Sequence, residues 1–305
     1  MGTERSADIS EIVSAIENSR SAAHDFLLGP VLRPEMPSQP AIDEFLVAEL
    51  DPDGKASKQF DKILREQAAD IGKLADDLNS KAFAASKGRG AHVLKDIEDR
   101  IAVLPPDPKK RHFLDKPFLI WTDAELNGDY AIAPYGSWVK LNVETTSALN
   151  AYSYFYYLWT NDSDQAVTVN IDAYLIADGY VELSSEGGYL PRDRFADTQL
   201  TALMYPWEWW NQPVTVPPPQ GGQVQPLPYM KVESSGIAAG AGFNAWTVFR
   251  GFDLQYQQLT VPAHGSTVIY VEFVVTAGAK RGKAKIDFRN QHRNVVSPGV
   301  LITVV

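Results

Sequence analysis

Catalysis needs reactive atoms within reach of one another, and this chain supplies few of the reactive kinds. It has no cysteine among its 305 residues. That removes thiolate nucleophiles, disulfides, iron–sulfur clusters and Cys-based zinc sites together. The histidines, His24, His92, His112, His264 and His292, are scattered, and none pairs with another at metal-ligand spacing. Two serine-bearing turns, Gly136-Ser137-Trp138 and Gly265-Ser266-Thr267, lack the glycine spacing of a nucleophile elbow. Gly236 to Gly242 is glycine-rich, but no Lys-Ser/Thr follows it and it falls between strands, so it does not read as a phosphate cradle. Glu182, Glu186, Glu208, Glu233, Asp253 and Glu272 are acids that a sandwich could bring together for glycoside chemistry, yet no spacing selects two of them. The expectation is a protein that is not an enzyme, with no catalytic residue, no cofactor and no metal.

Oxygen-rich loops fare no better. Glu49, Asp51, Asp53 and Gly54 fall at positions 1, 3, 5 and 6 of a calcium loop, but Phe60 occupies position 12, where a bidentate acid is required. Pro52 between two aspartates reads instead as a turn leading into a helix. Asn161, Asp162 and Asp164 read as turn formers, and Asn161-Asp162-Ser163, although it has the form of a glycosylation acceptor, is expected to be inert.

The most unusual run is Tyr205-Pro206-Trp207-Glu208-Trp209-Trp210-Asn211, followed by Pro217-Pro218-Pro219 and Pro226-Leu227-Pro228. Indoles packed this densely between prolines can form a platform for a sugar face, a lipid headgroup or a partner chain, or can cover one end of a sandwich. Tyr205, Trp207, Trp209, Trp210 and Asn211 are therefore the candidate contact residues.

The elements that must position these residues divide at residue 117. All 13 tyrosines and all 7 tryptophans lie beyond it. Residues 1–116 have helix composition and residues 117–305 strand composition. Ile9, Ile12, Val13 and Ile16 follow a helical period, and Gly29-Pro30 ends that helix. Pro34, Pro37 and Pro40 then make an extended strap. A longer helix is predicted over 57–85. Its apolar seam of Phe60, Leu64, Ile71, Leu74 and Leu78, interrupted only by Gln67, suits pairing with another helix. A further helix over Val93, Leu94, Ile97, Ile101 and Leu104 completes a helical hairpin or small bundle.

Beyond residue 117 the period changes to two. Val139, Leu141 and Val143 alternate with Lys140, Asn142 and Glu144, while Tyr152 to Trp159 is aromatic or apolar on both faces except at Ser153 and reads as a central, doubly covered strand. About ten strands without intervening helices predict an antiparallel, jelly-roll-like β-sandwich. The fold class is thus α+β in segregated halves, with a helical domain at 1–116 and an aromatic-rich sandwich at 117–305. Lys280-Arg281-Gly282-Lys283-Ala284-Lys285 reads as a solvated hairpin tip, and Pro108-Lys109-Lys110-Arg111-His112 as a solvated linker.

A net charge of −10 weighs against a general nucleic-acid binder. No apolar stretch approaches the ~18–20 residues of a membrane span. Met1 to Ser10 is too polar for a secretory signal, so the expected location is cytoplasmic as synthesised, with release by an unconventional route. These readings combine into a non-enzymatic structural and binding protein, a self-assembling homo-oligomer whose helical region connects and whose sandwich forms the body. Two alternatives stand beside it: a membrane-active, pore-forming toxin with an insertable N-terminal amphipathic helix, and a glycan-binding β-sandwich module.

Overall fold

Asp51 starts the long helix. Its carboxylate accepts from the backbone N–H groups of Ala56 and Ser57, at 3.0 and 2.7 Å, and from the Ser57 hydroxyl. These donors lie in the first turn, where a helix leaves N–H groups without intrahelical acceptors. The Gly54 N–H closes the preceding turn on the Asp51 carbonyl at 2.9 Å, and Gly54 takes φ 62°. The turn expected at Asp51 to Gly54 is thus a turn and a cap. Lys55–Ser86 follows as a single helix, α1, of 32 residues, about 48 Å long at 1.5 Å per residue.

The computed structural model describes residues 9–10, 12–15, 51–86, 110–123, 129–188, 193–209, 223–234, 239–288 and 294–305. The first helix beyond residue 15, the proline strap and the expected helix over residues 93–104 lie outside the described residues. What is described is mostly strand: β1 (Arg111–Leu114), β2 (Leu119–Thr122), β3 (Asp129–Ala131), β4 (Ser137–Thr145), β5 (Leu149–Thr160), β6 (Val167–Ser185), β7 (Arg194–Glu208), β8 (Gln223–Pro226), β9 (Met230–Ser234), β10 (Gly242–Val261), β11 (Ser266–Lys280), β12 (Gly282–Phe288) and β13 (Val295–Val304).

Two antiparallel sheets face each other, as the sequence pattern predicts. Sheet A runs β1-β13-β4-β12-β6-β10, with β3 on β4; sheet B runs β2-β5-β11-β7-β8, with β9 on β7. Between them lies one core, to which β4 contributes Val139, Leu141 and Val143, β5 Phe155 and Tyr157, β7 Met204, β11 Phe273 and β12 Phe288. Tyr157 carries its hydroxyl into this core and donates to the Ser297 Oγ at 2.7 Å, which satisfies a buried polar group.

Several strands run longer than the punctuation suggests. The glycine at 179 separates two expected strands, yet β6 passes straight through it. The Phe288 ring lies so close that a Cβ at this position would sit 2.4 Å from it. Glycine here makes room for a ring rather than ending a strand. Lys280 to Lys283 is also not the tip of a hairpin within one sheet. Arg281, at φ 49°, joins β11 of sheet B to β12 of sheet A. Gly282 is required there because a Cβ would meet the Phe195 and Ser184 carbonyl oxygens at 2.5 and 2.6 Å.

Candidate functional site

Alternation along a strand sends every second residue outward. On sheet B those outward residues are aromatic. Tyr152, Tyr154 and Tyr156 stand in a row on β5, with successive ring centroids 6.2 and 5.7 Å apart. The next strand, β11, places Tyr270 between Tyr156 and Tyr205 of β7, and Glu272 between Tyr154 and Leu203. Tyr270 lies 6.0 Å from Tyr156 and 5.5 Å from Tyr205. At the edge, Trp121 of β2 tilts onto Tyr154 at 5.5 Å, while Trp207 and Trp209 form a perpendicular pair at 6.1 Å.

This face is a second apolar layer. It is covered in part by the N-terminal helical residues, with Ile12 fully buried in the same cluster and Ala15 packed beside it. Trp207 and Tyr205 lie within strand β7 and face the tyrosines, so they are structural members of a sheet rather than rings held in a proline loop. Trp209 follows directly after the strand and is buried with them. Trp210 and Asn211 lie outside the described residues. The indole Nε1 of Trp207 is buried with no hydrogen-bond partner among the described residues.

At the centre of the layer is Glu272, only 4% exposed. Burial pushes its carboxyl up to about 8, against a lowering hydrogen bond from Tyr154 and a further raising effect of the Asp123 charge. Asp123 itself accepts from the backbone N–H of Tyr152 at 2.8 Å. Burial and then the Glu272 charge likewise raise the hydroxyls of Tyr154, Tyr205 and Tyr270. At neutral pH the site therefore holds a protonated acid among tyrosine hydroxyls. Such an arrangement can donate and accept hydrogen bonds and can store a proton. Among the described residues no group of His, Asp and Glu side chains is arranged to hold a metal ion. His112 tilts against Trp159 at 5.8 Å, and His264 Nε2 sits 3.2 Å from Asp164. His112 belongs to sheet A and His264 to the turn before β11, whereas Glu272 lies within β11 of sheet B. Of the six acids that spacing left equivalent, only Glu272 is drawn into the aromatic layer.

The seam of α1 is used differently. Leu64 packs on Gly187, where a Cβ would come within 2.2 Å of its methyl group. Gln67, the polar residue in the seam, lies over Gly240. Ala75 is buried, and its carbonyl accepts from the Tyr180 hydroxyl at 3.4 Å. One edge of the stripe thus rests on sheet A, with Phe60, Ile71 and Leu78 half-buried, while Ile63 and Leu74 remain 42% and 48% exposed. Asn161, meanwhile, is buried and donates to the Gln165 and Pro262 carbonyls at 2.8 and 2.9 Å, which makes it a turn former with its amide already engaged.

The fold and site define an antiparallel β-sandwich protein with an aromatic outer layer on one sheet and a helix on the other. No family model matches the sequence, and no curated protein does. Among solved structures the chain is similar to one described as TmCBM61 in complex with beta-1,4-galactotriose. The identity is 9% and the TM-score 0.20, over 59% of this chain and 86% of that one. A likeness that distant carries no argument about ligand or activity. No helix among the described residues is long and apolar enough to cross a membrane.

Proposed function

We propose that the chain is a non-enzymatic, self-assembling subunit, with the sandwich as its body and α1 as a connecting element. The observation that carries this reading is the divided apolar stripe of α1. Ile63 and Leu74 are eleven residues apart, which places them about 20° from each other around the helix. Both stand exposed on that side of the helix, next to the edge seated on sheet A. A helix that needed only its own sheet would present polar residues there. Size-exclusion chromatography with light scattering on the full chain tests the reading. The expected result is a concentration-dependent oligomer that the double substitution Ile63→Lys, Leu74→Lys weakens. A strict monomer at high concentration overturns it.

A second reading, the membrane-active one, draws on the packing of Ile12 and Ala15 over tyrosine and tryptophan rings. Rings of this kind suit a membrane interface once uncovered. Dye release from zwitterionic and anionic vesicles tests it, and absence of release at every composition removes it.

A further inference from the structure

Three contacts fix how α1 is turned on sheet A. Leu64 rests on Gly187, which follows β6, Gln67 lies over Gly240, which precedes β10, and the Ala75 carbonyl accepts from Tyr180 of β6. The helix therefore lies toward the β6–β10 end of the sheet order. Around the helix, Leu64 sits about 100° from Ile63 and Gln67 about 40° on the same side, so the turn from Leu64 to Gln67 runs from β6 toward β10. Ile63 and Leu74, at 42% and 48% exposure, continue that turn away from the middle of the sheet.

Beyond them comes a flank of charges. Glu66, Lys73 and Lys62 lie about 60°, 80° and 100° from Ile63 on the side opposite Leu64, and Asp70, Asp77 and Lys81 lie within about 40° of it. All six are exposed. From Lys62 to Lys81 the strip thus holds three cations and three anions, a neutral surface in a chain of net charge −10. Nucleic acid or an anionic lipid surface calls for an excess of cations. A balanced strip beside two exposed aliphatic side chains matches a surface of its own kind.

We propose that α1 pairs antiparallel with α1 of a second copy, Ile63 of each packing on Leu74 of the other. The two-fold axis of such a pair stands normal to the plane of the helices, so each flank meets the same flank of its partner. Glu66 then meets Lys73, and Lys62 meets Asp77, each pair occurring twice. Both pairs share one centre, a single residue from the midpoint between Ile63 and Leu74, so the charges and the apolar contact ask for the same register. A parallel pair would instead turn the charged flank toward the side seated on sheet A, and it would match neither pair. The antiparallel symmetry also places both seated sides beneath the helices, with the two sandwiches side by side under one two-helix layer.

The inference rests on the assembly reading and names its partner. Because the chain has no cysteine, introduced thiols are the only ones present. Paired helices lie about 8–10 Å apart, which brings facing thiols within disulfide reach, whereas Ile63 and its own copy stand about 16 Å apart along the axis. A mixture of full-length Ile63→Cys and Leu74→Cys chains is expected to form a disulfide dimer under mild oxidation, and neither variant alone is. Glu66→Lys is expected to raise the dissociation constant roughly tenfold, with an unchanged circular dichroism spectrum, and adding Lys73→Glu is expected to restore it. If the unmodified chain associates while the mixture gives no disulfide dimer, as happens when the strip is covered within its own chain, the α1 pairing is overturned and the assembly reading stands on another surface. Cross-linking of either variant alone, or a double charge variant that binds no tighter than the single one, overturns the pairing in the same way. A strictly monomeric chain overturns both readings.

Discussion

On the outer face of sheet A, Lys283 meets Glu144 at 2.7 Å and Lys285 lies 3.9 Å from Glu182. On the outer face of sheet B, the acid Glu272 stands in register between Tyr154 and Leu203, and it is held protonated by burial. Both faces obey the same alternation, and both turn away from the shared core. The difference is what covers them. Solvent reaches the Lys283–Glu144 pair of the first, so charges can pair there at little cost. Packed rings and Ile12 cover the second, so a charge there must be neutralised. An outward-facing position in a sheet is therefore not a solvent-facing one until the next layer is known.

Truncating each face should separate them most sharply. Tyr270→Ala, which removes a ring touching Tyr154, Tyr156 and Tyr205, is expected to cost about 3–5 kcal/mol in denaturant unfolding. Lys283→Ala on sheet A should cost less than about 1 kcal/mol, and equal costs would dissolve the distinction.

Proton linkage gives a smaller effect with a defined sign. The Glu272 carboxyl titrates at about 8 in the folded chain, raised from 4.5. Its contribution to stability is fully present below pH 4.5, declines as pH rises to about 8, and is flat above that. Replacing it by a neutral isostere, Glu272→Gln, should remove this decline. The variant should then exceed the parent chain by up to the order of 4 kcal/mol at pH 8.5 and match it near pH 4. Unfolding midpoints at both pH values check this, and two curves that run parallel would place Glu272 in contact with water.

Much of this was legible from the residues themselves. The helix over 57–85 emerges as 55–86 behind the expected turn, because helix periodicity and turn chemistry act within a few residues, and the structure adds Asp51 as its cap. The doubly covered reading of Tyr152 to Trp159 holds as well, since a run apolar on both faces has only one place in a sandwich. The Trp207 and Trp209 readings stayed open, because burial of a ring depends on which segment lies over it. Glu272 left a usable signal, a lone acid in the apolar alternation of Thr267 to Thr276. That signal names an unusual residue without naming its neighbours.

By itself, the sequence determined the period of each segment, hence the helix, the strands and which residues share a face of each. Only the tertiary structure decided that the long helix lies on sheet A and Ile12 on sheet B. It also decided that Tyr154 and Glu272 meet and that β10 pairs with β6 at the end of a sheet. Local periodicity is set by backbone geometry, which each residue feels directly. Strand order and layer contacts depend on residues more than a hundred positions apart, such as Tyr154 and Glu272, and no local pattern carries that information.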